Sequence, residues 1–289
     1  MPELPEVEAA RVLATRAARG RRIARVWCAD DPIVFERVPA QKFRRALTGR
    51  RIEDLHRHGK HLWFELDRRP WPCFHFGMSG GIHVIANVGA PKWPPHPQRS
   101  GRPGKPVAAL DHPWPPRFTK LRLLLDDGNE LVYADARRLG RIRLRDDPSS
   151  EPPISLLGFD ALVALPSTAA MADVLGGRAA PIKAVLLDQS FSAGVGNWIA
   201  DEVLYQARVA PNRPARTLSR DEVSRLRAAI RTVIGTAVRV GADGDRFPRT
   251  WLFHNRWGKA AGAITPRGER IRFDTIGGRT TAWAPSVQK

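Results

Sequence analysis

The chain has 289 residues, enough for a sizeable core and near the length at which cores begin to divide, so two domains are the first expectation. It carries 47 Lys and Arg against 29 Asp and Glu, a formal charge of +18 spread along the chain, which predicts a polyanionic partner bound by the folded body and disfavours a disordered basic arm. No apolar run approaches spanning length, the acidic, proline-punctuated start is unlike a signal or transit peptide, and two cysteines, Cys28 and Cys73, are too few for a disulfide scaffold or a metal knuckle. A reducing compartment, cytoplasmic or nuclear, is expected.

In chain order, Leu4 to Ala18 suits a helix: Pro5 is tolerated in the first turn, Val7, Ala10, Val12 and Leu13 supply apolar positions, and Gly20 stops it. The segments around Ile23 to Trp27, Ile52 to Leu66, Cys73 to Ile85, Leu121 to Leu125 and Glu130 to Tyr133 carry strand patterns broken by glycines, and Asp126-Asp127-Gly128-Asn129 is a hairpin turn signal. Val88 to Arg117 is dense in Pro, Gly and basic residues and reads as a long surface loop; Asp147 to Ile154 has the composition of a linker. Beyond Leu156 the pattern turns helical over Ala169 to Leu175, Pro181 to Gln189, Asn197 to Ala207 and Ser219 to Val240, the last opening with a capping-box spacing. From Trp251 it returns to strand, with a hairpin between Ala263 and Trp283. The expectation is an α+β chain: a β-rich domain with a leading helix over 1–146, a helical domain over 155–250 and a small hairpin module over 251–289.

The chemistry points to the N-terminus. Removal of Met1 would expose the secondary amine of Pro2, and an α-amino group titrates near pH ~8, so much of it is neutral and nucleophilic at working pH. Glu3 beside it supplies a carboxyl for proton transfer. The plainer reading is that Pro2, Pro5 and the glutamates merely start a helix.

Further along stand His58-Gly59-Lys60-His61, Phe76-Gly77-Met78-Ser79-Gly80, Asp135-Ala136-Arg137-Arg138-Leu139-Gly140, Gly194-Val195-Gly196-Asn197 and Gly277-Gly278-Arg279-Thr280-Thr281. Together with the N-terminal motif and in this order, they resemble the formamidopyrimidine-DNA glycosylase/endonuclease VIII family across essentially the whole chain. The resemblance implies a repair enzyme acting as a monomer on damaged double-stranded DNA, with Pro2 as nucleophile, Glu3 as acid/base residue, Glu6 lining the lesion pocket and Lys60 approaching the phosphate and sugar. It implies that Met78, Arg137 and Leu139 fill the void left by a flipped nucleotide. Lys183, Asn197 and Arg279 are implied as phosphate-binding, the first two in a helix–two-turn–helix element where Asn197 suits a helix cap.

Two departures are informative. Relatives of the formamidopyrimidine type usually carry phenylalanine where Leu139 stands, so stacking on the orphaned side is expected to be weaker. Family members commonly hold the terminal hairpin with four zinc-binding cysteines, whereas Trp251 to Gln288 has none; Trp251-Leu252-Phe253-His254-Asn255-Arg256 and the ending Gly277-Gly278-Arg279-Thr280-Thr281-Ala282 resemble the plant and fungal branch, whose finger is zincless. No metal and no cofactor is expected, and packing by Trp251, Phe253, Trp257, Phe273 and Trp283 must hold the hairpin. An endonuclease VIII-type enzyme for oxidised pyrimidines and a non-catalytic damaged-DNA-binding protein remain as alternatives.

Overall fold

The computed structural model describes residues 2–85 and 114–289, in two compact units: Met1–Leu156 with Gly241–Asp245, and Leu157–Val240 with Arg246–Lys289. Residues 86–113, most of the stretch read as a surface loop, lie outside the described residues.

In the first unit, helix α1 (Leu4–Ala18) accepts Pro5 because first-turn N–H groups have no helical partner. It buries Leu4, Val7, Ala10, Ala14 and Ala18, spaced three and four apart, and the alanines let the helix lie close to its support. There follow β1 (Ile23–Cys28), α2 (Ala40–Leu47), β2 (Ile52–His58), β3 (His61–Leu66), β4 (Trp71–His75), β5 (Gly81–Ile85), β6 (Thr119–Leu125), β7 (Glu130–Ala134) and β8 (Arg141–Arg145). They form two four-stranded antiparallel sheets in the orders β1-β6-β7-β5 and β2-β3-β4-β8. Alternate residues of both, among them Leu121, Leu123 and Leu125 on one sheet and Leu62, Phe64 and Phe74 on the other, enter one core.

The structure adds to the sequence reading here. Ile52–Leu66 and Cys73–Ile85 are each two strands, parted at the positions that carry Lys60 and Met78. Helix α2 has only Phe43 and Leu47 fully buried, too few to make a visible period, yet each contributes on the order of 1.5–3 kcal/mol. Strand β8, Arg-Ile-Arg-Leu-Arg, hides its alternation in a charge run and is fixed by pairing with β4, which buries Ile142. The Pro/Ser-rich stretch is folded by its own side chains: Glu151 accepts the Asp146 and Asp147 N–H groups at 2.8 Å each, and the Ser150 hydroxyl donates to Asp147 at 2.8 Å.

The second unit pairs β9 (Phe159–Asp160) in parallel with β10 (Ser192–Ala193) and contains helices α3 (Thr168–Gly176), α4 (Ile182–Leu187), α5 (Asn197–Ala207) and α6 (Arg220–Arg239). Ser219 and Glu222 close the capping box of α6: the Ser219 hydroxyl accepts the Glu222 N–H at 3.3 Å and Glu222 accepts the Ser219 N–H at 2.8 Å. The chain ends in the hairpin of β11 (Arg272–Ile276) and β12 (Arg279–Trp283). Among the described residues no helix is long and apolar enough to cross a membrane.

Candidate active site and nucleic-acid interface

Pro2 stands half-buried immediately before α1, and Glu3, only 2 % exposed, is the helix N-cap. Glu3 and Glu6 form a reciprocal capping box, in which the Glu6 carboxylate accepts the Glu3 N–H at 3.0 Å. The capping and catalytic readings of these glutamates are therefore compatible. The cap fixes both carboxyls next to Pro2, at the positive end of the helix dipole.

One turn on, Glu8 ties α1 to the hairpin of β2 and β3. It accepts from Arg11 at 2.7 Å and from Arg57 at 2.9 Å, and Arg57 also donates to the Gly59 carbonyl at 2.9 Å. Burial pushes the Glu8 carboxyl up, but hydrogen bonds from the two guanidinium groups outweigh it and hold the group below the usual carboxylate range. The same arginine thus braces the Gly59-Lys60 turn, so Lys60 sits on a rigid hairpin tip.

Under that tip lie two histidines that the sequence reading did not single out. His61 and His75 face each other across β3 and β4 with ring centroids 4.8 Å apart. Burial first, then nearby positive charge including Lys60, pushes them down to about 3 and about 4 respectively. The neutral His75 Nδ1 accepts the Gly77 N–H at 3.3 Å, at the entry to the Met78 loop. Unfolded histidines take up protons near pH ~6.5 whereas these resist, so stability contributed by the pair falls as pH drops from about 6.5 towards about 3. A melt at about pH 5 should lie below one at about pH 7, and His61→Phe should shrink the difference. Equal acid sensitivity in wild type and variant would refute the role of the pair.

Met78, Arg137 and Leu139 come together around one buried carboxylate, Asp135. The Ser79 hydroxyl donates to Asp135 at 2.6 Å, the Arg137 N–H reaches both Ser79 Oγ and Asp135 at 3.2 Å, and the Gly140 N–H donates to Asp135 at 2.7 Å. Gly77, at φ +59°, lies so close to the Leu139 carbonyl that a side chain there would collide with it. The loops are thereby bolted together while Met78 and Leu139 remain 36 % and 42 % exposed, an arrangement that packing alone would not favour. Arg138 turns away to form a bidentate pair with Asp31 at 2.9 and 3.0 Å. Burial pushes the Asp31 carboxyl up, but Arg138 and Lys120 overcome this and hold it well below the carboxylate range.

In the second unit, two expectations are corrected. Asn197 does not cap α5: Gly196 is the cap residue, and the Asn197 side-chain amide donates to the Thr280 carbonyl at 3.0 Å. Lys183 is fully buried, paired with Asp201 at 2.6 Å and donating to the Thr280 carbonyl at 3.1 Å and Thr281 Oγ1 at 2.8 Å. A lysine so enclosed positions the hairpin and offers no surface charge to a phosphate. Arg279 is exposed at the start of β12, one residue from Thr280, after a Gly277-Gly278 turn in which Gly277 packs against Ala184 of α4.

The aromatic residues of the terminal module divide between two groups. Trp198 of α5 packs on Phe247 and Phe253, which continue to Trp251 and Trp257, while Phe273 joins Tyr205, Leu252 and Ile271. Trp283 donates its indole N–H to Asp274 at 2.7 Å. Beside them is a buried ionic network that the sequence did not reveal. Asp201 also pairs with Arg256 at 2.6 Å and accepts the Ala282 N–H at 3.1 Å, and Glu202 accepts the Phe253 N–H at 2.8 Å, burial pushing its carboxyl up to about 7. Among the described residues no group of three or more His, Cys, Asp or Glu side chains could hold a metal ion.

Residues 1–142 match the model of the formamidopyrimidine-DNA glycosylase N-terminal domain, and residues 157–248 that of its H2TH domain. A formamidopyrimidine-DNA glycosylase of Arabidopsis thaliana is 43 % identical over the whole chain, which spans 71 % of that relative, and one of Afipia carboxidovorans is 33 % identical with both chains fully covered. Among solved structures, a point mutant of the Lactococcus lactis Fpg in complex with DNA containing Fapy-dG superposes with a TM-score of 0.78 at 25 % identity, covering all of both chains. With its mixed α/β fold matching theirs, this chain belongs to the formamidopyrimidine-DNA glycosylase family.

Proposed function

We propose that the protein is a bifunctional base-excision-repair enzyme, a glycosylase for oxidised bases and a lyase for the abasic site. The observation that carries this reading is Pro2 set directly before a helix whose first carboxylates, Glu3 and Glu6, are locked by a capping box. Once Met1 is removed, the Pro2 nitrogen attacks the anomeric carbon, and the base leaves with the electrons of the glycosidic bond. Glu3 donates a proton to the sugar ring oxygen, opening the ring to an iminium ion. Loss of the adjacent C2′ proton then expels the 3′ phosphate by β-elimination, δ-elimination expels the 5′ phosphate, and hydrolysis returns the Pro2 amine.

Lys60 supplies a point charge to the phosphate and sugar beside the lesion. Met78, Arg137 and Leu139 occupy the hole left by the flipped nucleotide, a fit supported by their joint mounting on Asp135. The division of labour follows the sequence reading, with catalysis in 1–146, phosphate grip in 155–250 and the hairpin arginine in 251–289. The start of α5 grips phosphate through its backbone and dipole. The protein acts on damaged duplex DNA as a monomer, inside the cell, without cofactor or zinc, on formamidopyrimidines, 8-oxoguanine and hydantoins.

Borohydride reduction during turnover on abasic duplex DNA should trap one covalent adduct, and peptide mapping should place it on Pro2. An adduct on Lys60, or one formed only while Met1 remains, would overturn the mechanism.

A further inference from the structure

Beside the loop that carries Arg137 and Leu139 stands a residue that packing and backbone preference both disfavour. Phe118 has φ +66° and is 47 % exposed. The left-handed region suits glycine or asparagine, and a bulky aromatic side chain there is held against its preference by its surroundings. Those surroundings are specific. The Asp135 N–H donates to the Phe118 carbonyl at 3.1 Å, and Arg117 lies over the ring at 4.7 Å. The Thr119 hydroxyl closes the preceding turn on the Pro116 carbonyl at 2.6 Å. Arg138, the other left-handed residue next to Asp135, has its conformation explained by the Asp31 pair. Among the described residues nothing comparable accounts for an exposed phenyl ring.

Phe118 is thus a third exposed apolar side chain whose backbone is fastened to Asp135 or its neighbours, after Met78 and Leu139. Leu139 has no ring with which to stack. We infer that Phe118, backed by Arg117, is a binding contact for the undamaged strand, its ring packing on the base left without a partner or on that base's neighbour. This rests on the proposed action on duplex DNA. An aromatic face suits any base, and a guanidinium beside it adds attraction for the phosphates.

The test uses the whole protein and a duplex containing a tetrahydrofuran abasic analogue, with 2-aminopurine opposite it. Phe118→Gly removes the ring and relieves the left-handed backbone, so its melting temperature should be unchanged or higher. Its Kd should nevertheless rise on the order of ten-fold, the scale of one lost aromatic contact, and 2-aminopurine should brighten as stacking is lost. Phe118→Tyr should restore both readouts. Phe118→Gly binding and fluorescence matching wild type would overturn the inference while leaving wild-type borohydride trapping intact. Failure of the wild type itself to trap abasic DNA would instead overturn the enzymatic reading on which the inference stands.

Discussion

Glu3→Gln should slow excision of an oxidised base by roughly 10²–10⁴-fold, the usual contribution of a positioned acid/base group, while binding to lesion duplex stays near the wild-type level. The substitution is well suited to isolate proton transfer. Glutamine keeps an oxygen that can accept the N-terminal N–H, so the capping box and the start of α1 should survive, and Glu6 can still accept the Glu3 N–H. What it lacks is a titratable proton. Cleavage at a preformed abasic site should suffer less, because the base has already gone and the Pro2 amine attacks the free aldehyde. Single-turnover kinetics on both substrates would separate the steps, and unimpaired base excision would remove Glu3 from the chemistry.

The residues proposed to touch DNA were the legible ones, and the residues that place them were not. Lys60, Met78, Arg137 and Arg279 stand in short glycine-containing motifs, where a turn must expose its tip, so local sequence was enough to mark them. Asp135 lies within one of those motifs, yet its bond to Ser79 spans 56 positions, and no pattern in a single sequence joins the two loops. Phe118 directly follows the proline-rich stretch, and nothing in the local sequence marks its carbonyl as the acceptor of the Asp135 N–H. The expectations of a phosphate-binding Lys183 and a helix-capping Asn197 failed for a related reason. Lys183 donates to Thr280 and Thr281 and the Asn197 amide to Thr280, in a segment far along the chain, and a lysine in a basic chain gives no local sign of being buried. Helix α2 and strand β8 were hidden by their charge, since only one or two apolar positions distinguish each from a solvated segment.

That buried network leads to the second large effect. Asp201→Ala should destabilise the second unit by about 3–5 kcal/mol, because it leaves Lys183 and Arg256 as enclosed charges without their shared carboxylate. The loss should reach function through the hairpin. Lys183 holds Thr280 and Thr281, Asp201 holds the Ala282 N–H, and Arg279 is the next residue along the strand. Asp201→Ala should therefore weaken DNA binding along with stability. Arg279→Ala should leave the melting curve nearly unchanged and only reduce the salt dependence of binding by about one phosphate contact. The two variants differ in kind because one removes the support and the other the contact. If the charge network and the aromatic groups around Trp198 and Phe273 hold the hairpin, a strong chelator should shift neither stability nor affinity. Denaturant melts finding Asp201→Ala within about 1 kcal/mol of wild type, or a chelator unfolding the native protein, would show that something other than this network holds the hairpin.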